Sequence, residues 1–225
     1  MGLLIKNKSF LPFVCGVIIC LSFSACFKDI PTRTVVYENK FEDTAKNGFI
    51  ILSATGIVDS SKIIEFNNTH VLGSFHDNLV RFNIDQIPYH NVLKIEFDLY
   101  LHDDWKGNFI APGGSIPDIW QMKLNDNPIF LTTFSNGSYD QSFPDNYQSV
   151  LINNKALSNA WGTMAGICSK ADQKDGTSFY KMEILAGHQG SAIQLDFQDV
   201  SFSPSTHCSK SWSIDNLRIS VINQP

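Results

Sequence analysis

The chain has 225 residues with 17 basic and 22 acidic side chains, and 43% of it is hydrophobic against 17% charged. That is enough for a self-supporting hydrophobic core, and it excludes a disordered chain or a coiled coil. A net charge of -5 lacks the basic footprint of a general nucleic-acid binder, so no nucleic-acid partner is expected.

Residues 1–25 differ in kind from the remainder of the chain. Lys6 and Lys8 precede an apolar run from Phe10 to Leu21, and the small residues Ser22, Ser24 and Ala25 close it. A basic start, a short apolar stretch and a small-residue exit are the parts of a secretory signal peptide, too short and wrongly flanked for a membrane span. The phrase Phe23-Ser24-Ala25-Cys26 resembles the lipobox of bacterial lipoproteins, with Phe where Leu is usual. The resemblance implies cleavage before Cys26, acylation (palmitate among the chains) and anchoring in a lipid bilayer, since stable attachment takes more than one acyl chain. The alternative is an ordinary secretory cut that leaves Cys26 as a free thiol. Cys26-Phe27-Lys28-Asp29 also resembles the Lys-plus-acid tether that sends some Bacteroidota lipoproteins to the cell surface. The expected address is the outer membrane of a Gram-negative cell envelope, surface exposure included.

Removing residues 1–25 takes away two Lys and no acid, which leaves 15 basic against 22 acidic side chains, a balance of -7. Cys15 and Cys20 leave with the signal, so Cys168 and Cys208 remain. An even pair in an exported chain is expected to form a disulfide closing a loop of about 40 residues; two separately buried thiols are the alternative. No CxxC spacing accompanies them, which argues against zinc at these cysteines.

From residue 33 onward the pattern has period two. In Val92–His102, Leu93, Ile95, Phe97, Leu99 and Leu101 point one way while Lys94, Glu96, Asp98, Tyr100 and His102 point the other, which predicts a half-buried strand. The same alternation marks Tyr180-Met182-Ile184 and Ile193-Leu195-Phe197. Shorter strands are predicted at residues 34–41, 48–53, 62–66, 79–84, 119–124, 128–134 and 213–221. No stretch keeps a 3.6-residue apolar period over three turns. About ten strands broken by clusters such as Ala111-Pro112-Gly113-Gly114 predict an all-β fold, two antiparallel sheets packed as a sandwich. The expected organisation is a signal peptide at 1–25, a lipidated tether at 26–32 and one domain at 33–223. Residues 102–118 and 135–177 are too long and irregular to be turns, so a binding site is expected there.

Several phrases, in order, resemble a secreted bacterial domain related to concanavalin-A-like and laminin-G-like jelly rolls. They are Leu72-Gly73-Ser74-Phe75, Ile87-Pro88-Tyr89-His90, Phe97-Asp98-Leu99-Tyr100-Leu101, Asp104-Trp105-Lys106-Gly107-Asn108, Pro117-Asp118-Ile119-Trp120, Leu131-Thr132-Thr133-Phe134-Ser135-Asn136 and Ser211-Trp212-Ser213-Ile214-Asp215-Asn216-Leu217. The resemblance implies a jelly-roll sandwich in an extracellular setting and no particular reaction. In many such domains the first and last strands are neighbours, and an acid near each shares a structural calcium ion. Here Glu42, in Phe41-Glu42-Asp43, and Asp215 are the corresponding pair. Asp215 is in phase with Leu217, Ile219 and Val221, and a carboxylate on the core side is costly unless paired or metal-bound. The alternative is an Asp215 that bonds backbone at a strand start.

No GxSxG, HExxH, P-loop or GxGxxG is present, and the six histidines show no ligand spacing. Glu96 and Asp98 read as a solvated strand face with Lys94 as partner. The chain therefore reads as non-enzymatic. Trp105 and Trp120, with Asp104, Asn108 and Asp118, offer the aromatic platform and polar rim that sugars need, unless the indoles cap the core. Trp161 is a further candidate, and Trp212 is expected in the core. A glycan-binding module is the leading reading; an adhesion module for a surface protein and an atypical hydrolase are the alternatives.

Overall fold

The alternation read from the sequence becomes strands with one wet and one dry face. The structure is a computed structural model that describes residues 31–43, 48–53, 56–57, 62–148, 152–201 and 205–224. The expected signal peptide and Cys26 lie outside the described residues. Among those described, seven strands form one sheet: β1 (Thr32–Asn39), β4 (Ile63–Phe66), β5 (Thr69–Phe75), β7 (Val92–Asp103), β10 (Gly162–Met164), β11 (Thr177–Gly187) and β13 (Lys210–Asn223). Six form the other: β2 (Phe49–Ser53), β3 (Gly56–Ile57), β6 (Leu79–Asp85), β8 (Ile119–Leu124), β9 (Asn127–Thr132) and β12 (Ala192–Val200). The first sheet runs β10-β11-β7-β13-β5-β4, with β1 also on β13; the second runs β3-β2-β6-β12-β8-β9.

From β5 to β8, and again from β11 to β13, consecutive strands cross from one sheet to the other. All of these pairings are antiparallel, so the chain is an antiparallel β-sandwich of jelly-roll type. The first and last strands are neighbours, Thr32 opposite Asn223. No helix among the described residues is long and apolar enough to cross a membrane.

Leu93, Ile95, Phe97, Leu99 and Leu101 of β7 point into the core with Leu195 and Phe197 of β12. At its centre Trp120 of β8 meets Trp212 of β13 edge-on, ring centroids 6.0 Å apart, and Phe97 meets Phe197 edge-on at 5.6 Å. Each such pair adds about 1 kcal/mol beyond area burial. Strand β5 is not predicted by the periodicity. It has no wet face to reveal it, because Val71 to Phe75 are all buried. Gly73 permits the close approach to β13: a Cβ there would overlap the Ser213 hydroxyl and lie 2.5 Å from the Ser213 Cβ. Strands β3 and β10, of 2 and 3 residues, are too short to leave a periodic mark and are likewise not predicted.

One expectation is corrected in β13. Its core face runs Trp212, Ile214, then Leu217, Ile219, Val221, because the register slips between Asp215 and Arg218 and Asn216 adopts a left-handed φ of 51°. The bulge changes the phase. Asp215 thus stands opposite Asp98 on the outer side of the sheet rather than in phase with Leu217.

Cys168 and Cys208 form a disulfide, Cα atoms 5.0 Å apart, joining the long loop before β11 to the entry of β13. Asp103, fully buried at the end of β7, accepts the Cys168 and Lys170 amides on Oδ1 and so fixes the same loop from beneath.

Candidate functional site

The loop after β7 and the start of β8 carry the predicted ligand residues, and the structure separates them. Trp105 and Trp120 are fully buried. Trp105 donates its indole N–H to the Ser211 carbonyl at 2.9 Å, and the Trp120 ring packs on Phe97, Phe130, Phe197 and Trp212. Neither indole can stack on a ligand, so the platform expected from them is corrected to core. Asn108 is spent on loop bracing: its amide donates to the Ile152 carbonyl and Asn153, and its oxygen accepts the Thr133 and Ser142 hydroxyls.

Asp104 and Asp118 do line a common cleft of about 330 Å³ with Lys106, Phe109, Thr206 and Lys210. Its charges are paired. Asp104 lies 3.1 Å from Lys106 and 3.2 Å from Lys170; burial works against its charge, but these two ammonium groups hold the carboxyl below its usual range. Lys210, buried, pairs with Asp118 and stands 5.3 Å over the Trp105 ring. The aromatic wall is Phe109, tilted against Tyr139 at 4.6 Å.

A second surface lies on the outer face of the seven-stranded sheet. Trp161 is 68% exposed although its amide is pinned to the Phe179 carbonyl of β11 at 2.8 Å. The Lys181 ammonium stands 4.7 Å from its ring centroid. A shallow depression beside it is lined by Glu96, Asp98, Lys181, Glu183 and Asn216, and continues toward Glu38, Lys40 and Arg218. Asn216 donates to Asp98 at 2.8 Å, and Lys94 bridges Glu96 at 3.0 Å and Glu183 at 2.9 Å. Lys94 is thus a partner of Glu96, as the strand alternation implies, and Arg33 of β1 is a second.

Asp215 adjoins this face and is 2% exposed. Burial, then the charges of Asp98 and Glu42, push its carboxyl up to about 7. Glu42 is placed by Phe41, whose ring is fully buried and whose left-handed backbone is held by the Asn39 side chain. The Glu42 oxygens are engaged by the Thr69 hydroxyl and by His70 at 3.2 Å. Glu42 and Asp215 therefore sense each other, but they do not belong to a set of three ligand side chains within 4.8 Å; among the described residues that set is His76, Asp77 and Asp199.

No family model matches the chain, and no curated protein matches it. Among solved structures it is similar to a family GH115 4-O-methyl-α-glucuronidase, BtGH115A, with specificity for decorated arabinogalactans (TM-score 0.36, 11% identity, 84% of this chain), of which it spans only 18%. It is also similar to a family 35 carbohydrate-binding module from Clostridium thermocellum (TM-score 0.35, 7% identity, 84% of this chain and 97% of that one). A third is the xylan-binding module CBM15, with TM-score 0.33, 10% identity and coverage of 88% and 100%.

Proposed function

We propose that this is a non-catalytic glycan-binding sandwich, carried to the cell envelope and anchored through acylated Cys26. The observation that carries the reading is Trp161. A large indole held in the open on a rigid strand edge forgoes about 2 kcal/mol of burial, which a stacked sugar ring recovers. Around it Asp98, Glu96 and Asn216 accept or donate, and Lys181 donates, matching the mixed character of sugar hydroxyls.

The loop cleft is a second contact in the same reading, favoured by the acid and ammonium pairs of Asp104 and Asp118 beside Phe109. A glycan array on the purified chain tests both. Binding is expected to fall about five- to thirtyfold in Trp161→Ala, the loss of one stacking contact of about 1–2 kcal/mol. Glycan binding indifferent to Trp161→Ala and to Asp104→Asn moves the site elsewhere, and no binding to any glycan removes the reading in favour of a protein partner.

Calcium at Glu42 and Asp215 is proposed as a structural accessory. The support is the crowding of Asp98, Glu42 and the high-lying Asp215 carboxyl on one patch, which an oxygen-preferring cation would relieve. Glu42 would have to give up its bond to His70 or Thr69 to join.

A further inference from the structure

The turn joining β5 to β6, His76-Asp77-Asn78, sits against Asp199 of β12 at one end of the sandwich. His76 and Asp199 are buried there, their side chains 7% and 1% exposed. Asp199 is held by two donors on Oδ1, the Trp212 indole at 2.9 Å and the Asp77 amide at 3.1 Å, and both aim its other oxygen at the histidine. His76 is held from its far side, where Nε2 lies 3.0 Å from the Ser205 carbonyl. The carbonyl and the Asp77 carboxylate, 3.2 Å from the same nitrogen, accept only, which favours a hydrogen on Nε2 and, in the neutral ring, a lone pair on Nδ1.

That lone pair faces Asp199 Oδ2 at 3.3 Å, and neither atom has a hydrogen-bond partner. Two buried acceptors so placed repel unless a proton or a metal cation stands between them. Asp77 brings a third ligand side chain, its Oδ2 3.2 Å from His76 Nε2, and one ligand atom from each of the three residues lies within 4.8 Å of the others. Ligands at about 2.0–2.1 Å from a tetrahedral zinc ion stand about 3.4 Å apart, close to the observed separation. The imidazole nitrogen disfavours calcium, which takes oxygen, and the histidine N–H held by a carbonyl is the usual outer support of a zinc ligand. A shallow cleft lined by Leu52, Asn78, Leu79 and Gln198 leaves the Asp77 side open to solvent.

We infer that His76, Asp77 and Asp199 form a zinc site, with a solvent molecule completing the coordination. It is separate from the glycan surface and from Glu42 and Asp215. A histidine ligand must be neutral to bind zinc, so the titration belongs at about pH 8.

The test uses the purified full chain, stripped with chelator and titrated with zinc against a chromophoric competitor, with cobalt as a spectroscopic substitute. One equivalent is expected, with the intense visible bands of tetrahedral cobalt. Asp77→Asn, exposed and tolerant, is expected to weaken binding at least about tenfold, and His76→Asn to abolish it. Asp77→Asn also decides the matter if His76→Asn does not fold. Zinc binding unchanged in Asp77→Asn, no competition by the wild-type chain, or displacement of zinc by millimolar calcium would each overturn the assignment.

Discussion

Replacing Asp215 with Asn probes the most heavily perturbed carboxyl on the outer face. In the folded chain this group titrates at about 7 against an ordinary 3.8, because it is buried and flanked by Asp98 and Glu42. A folded value above the unfolded one means that the folded state binds the extra proton, so stability falls as pH rises from 3.8 to 7 and the full penalty applies above 7. A separation of about three pH units is worth about 4 kcal/mol. Asn removes that penalty but loses one acceptor for the Asn216 side chain, at a cost of about 1 kcal/mol. In urea melts with chelator present, the variant is expected to be about 1 kcal/mol less stable than wild type near pH 4 and about 3 kcal/mol more stable at about pH 8. Buried His102, pushed down to about 3 by burial and His207, loses stability as pH falls from 6.5, but it does so in both proteins and cancels from the difference. A wild-type-minus-variant difference that does not change with pH would refute the reasoning. Calcium in place of chelator is expected to stabilise only the wild type at the higher pH, and an equal response in both proteins removes Asp215 from the calcium proposal.

The same geometry leads to further expected outcomes. Cys168→Ser is expected to lower stability by about 4 kcal/mol, the loop-entropy value for a separation of 40 residues, read by thermal or urea melts. Gly73→Ala should cost more than about 2 kcal/mol through overlap with Ser213, and Ser213→Gly in the same chain should recover part of it; an additive pair of losses would show that the contact is not the cause. Cys26→Ser is expected to move the chain from the membrane to the soluble fraction and to eliminate acyl mass from its N-terminal peptide, whereas retention on the membrane would discount the anchor.

What can be read from the sequence depends on whether a residue's surroundings are local. Strand β7 is legible because one face meets water and the other the core, so the alternation is written in consecutive residues. Strand β5 is not, since it is covered on both faces and carries a glycine dictated by Ser213 on a distant strand. Periodicity puts Asp215 on the wrong side because a bulge at a left-handed asparagine shifts the phase without any apolar mark. The long loops stand out by their irregularity, yet which indole is exposed depends on what crosses above it. Trp105 lies under Lys210 while Trp161 lies at the sheet's edge. Histidine spacing could not disclose the zinc ligands, because Asp77 and Asp199 are 122 residues apart and meet only when β5, β6 and β12 assemble.

The central place of β13 also governs the order in which the molecule can be made. This strand comes after every other in the chain, yet β1, β5 and β7 all pair with it. A chain emerging from its N-terminus therefore exposes three strand edges that have no partner until residues 210–223 arrive. The sandwich cannot close progressively, and long-range pairing of this kind is slow. If the chain is exported as proposed, that delay is useful, because it keeps the polypeptide threadable until its last strand has cleared the membrane.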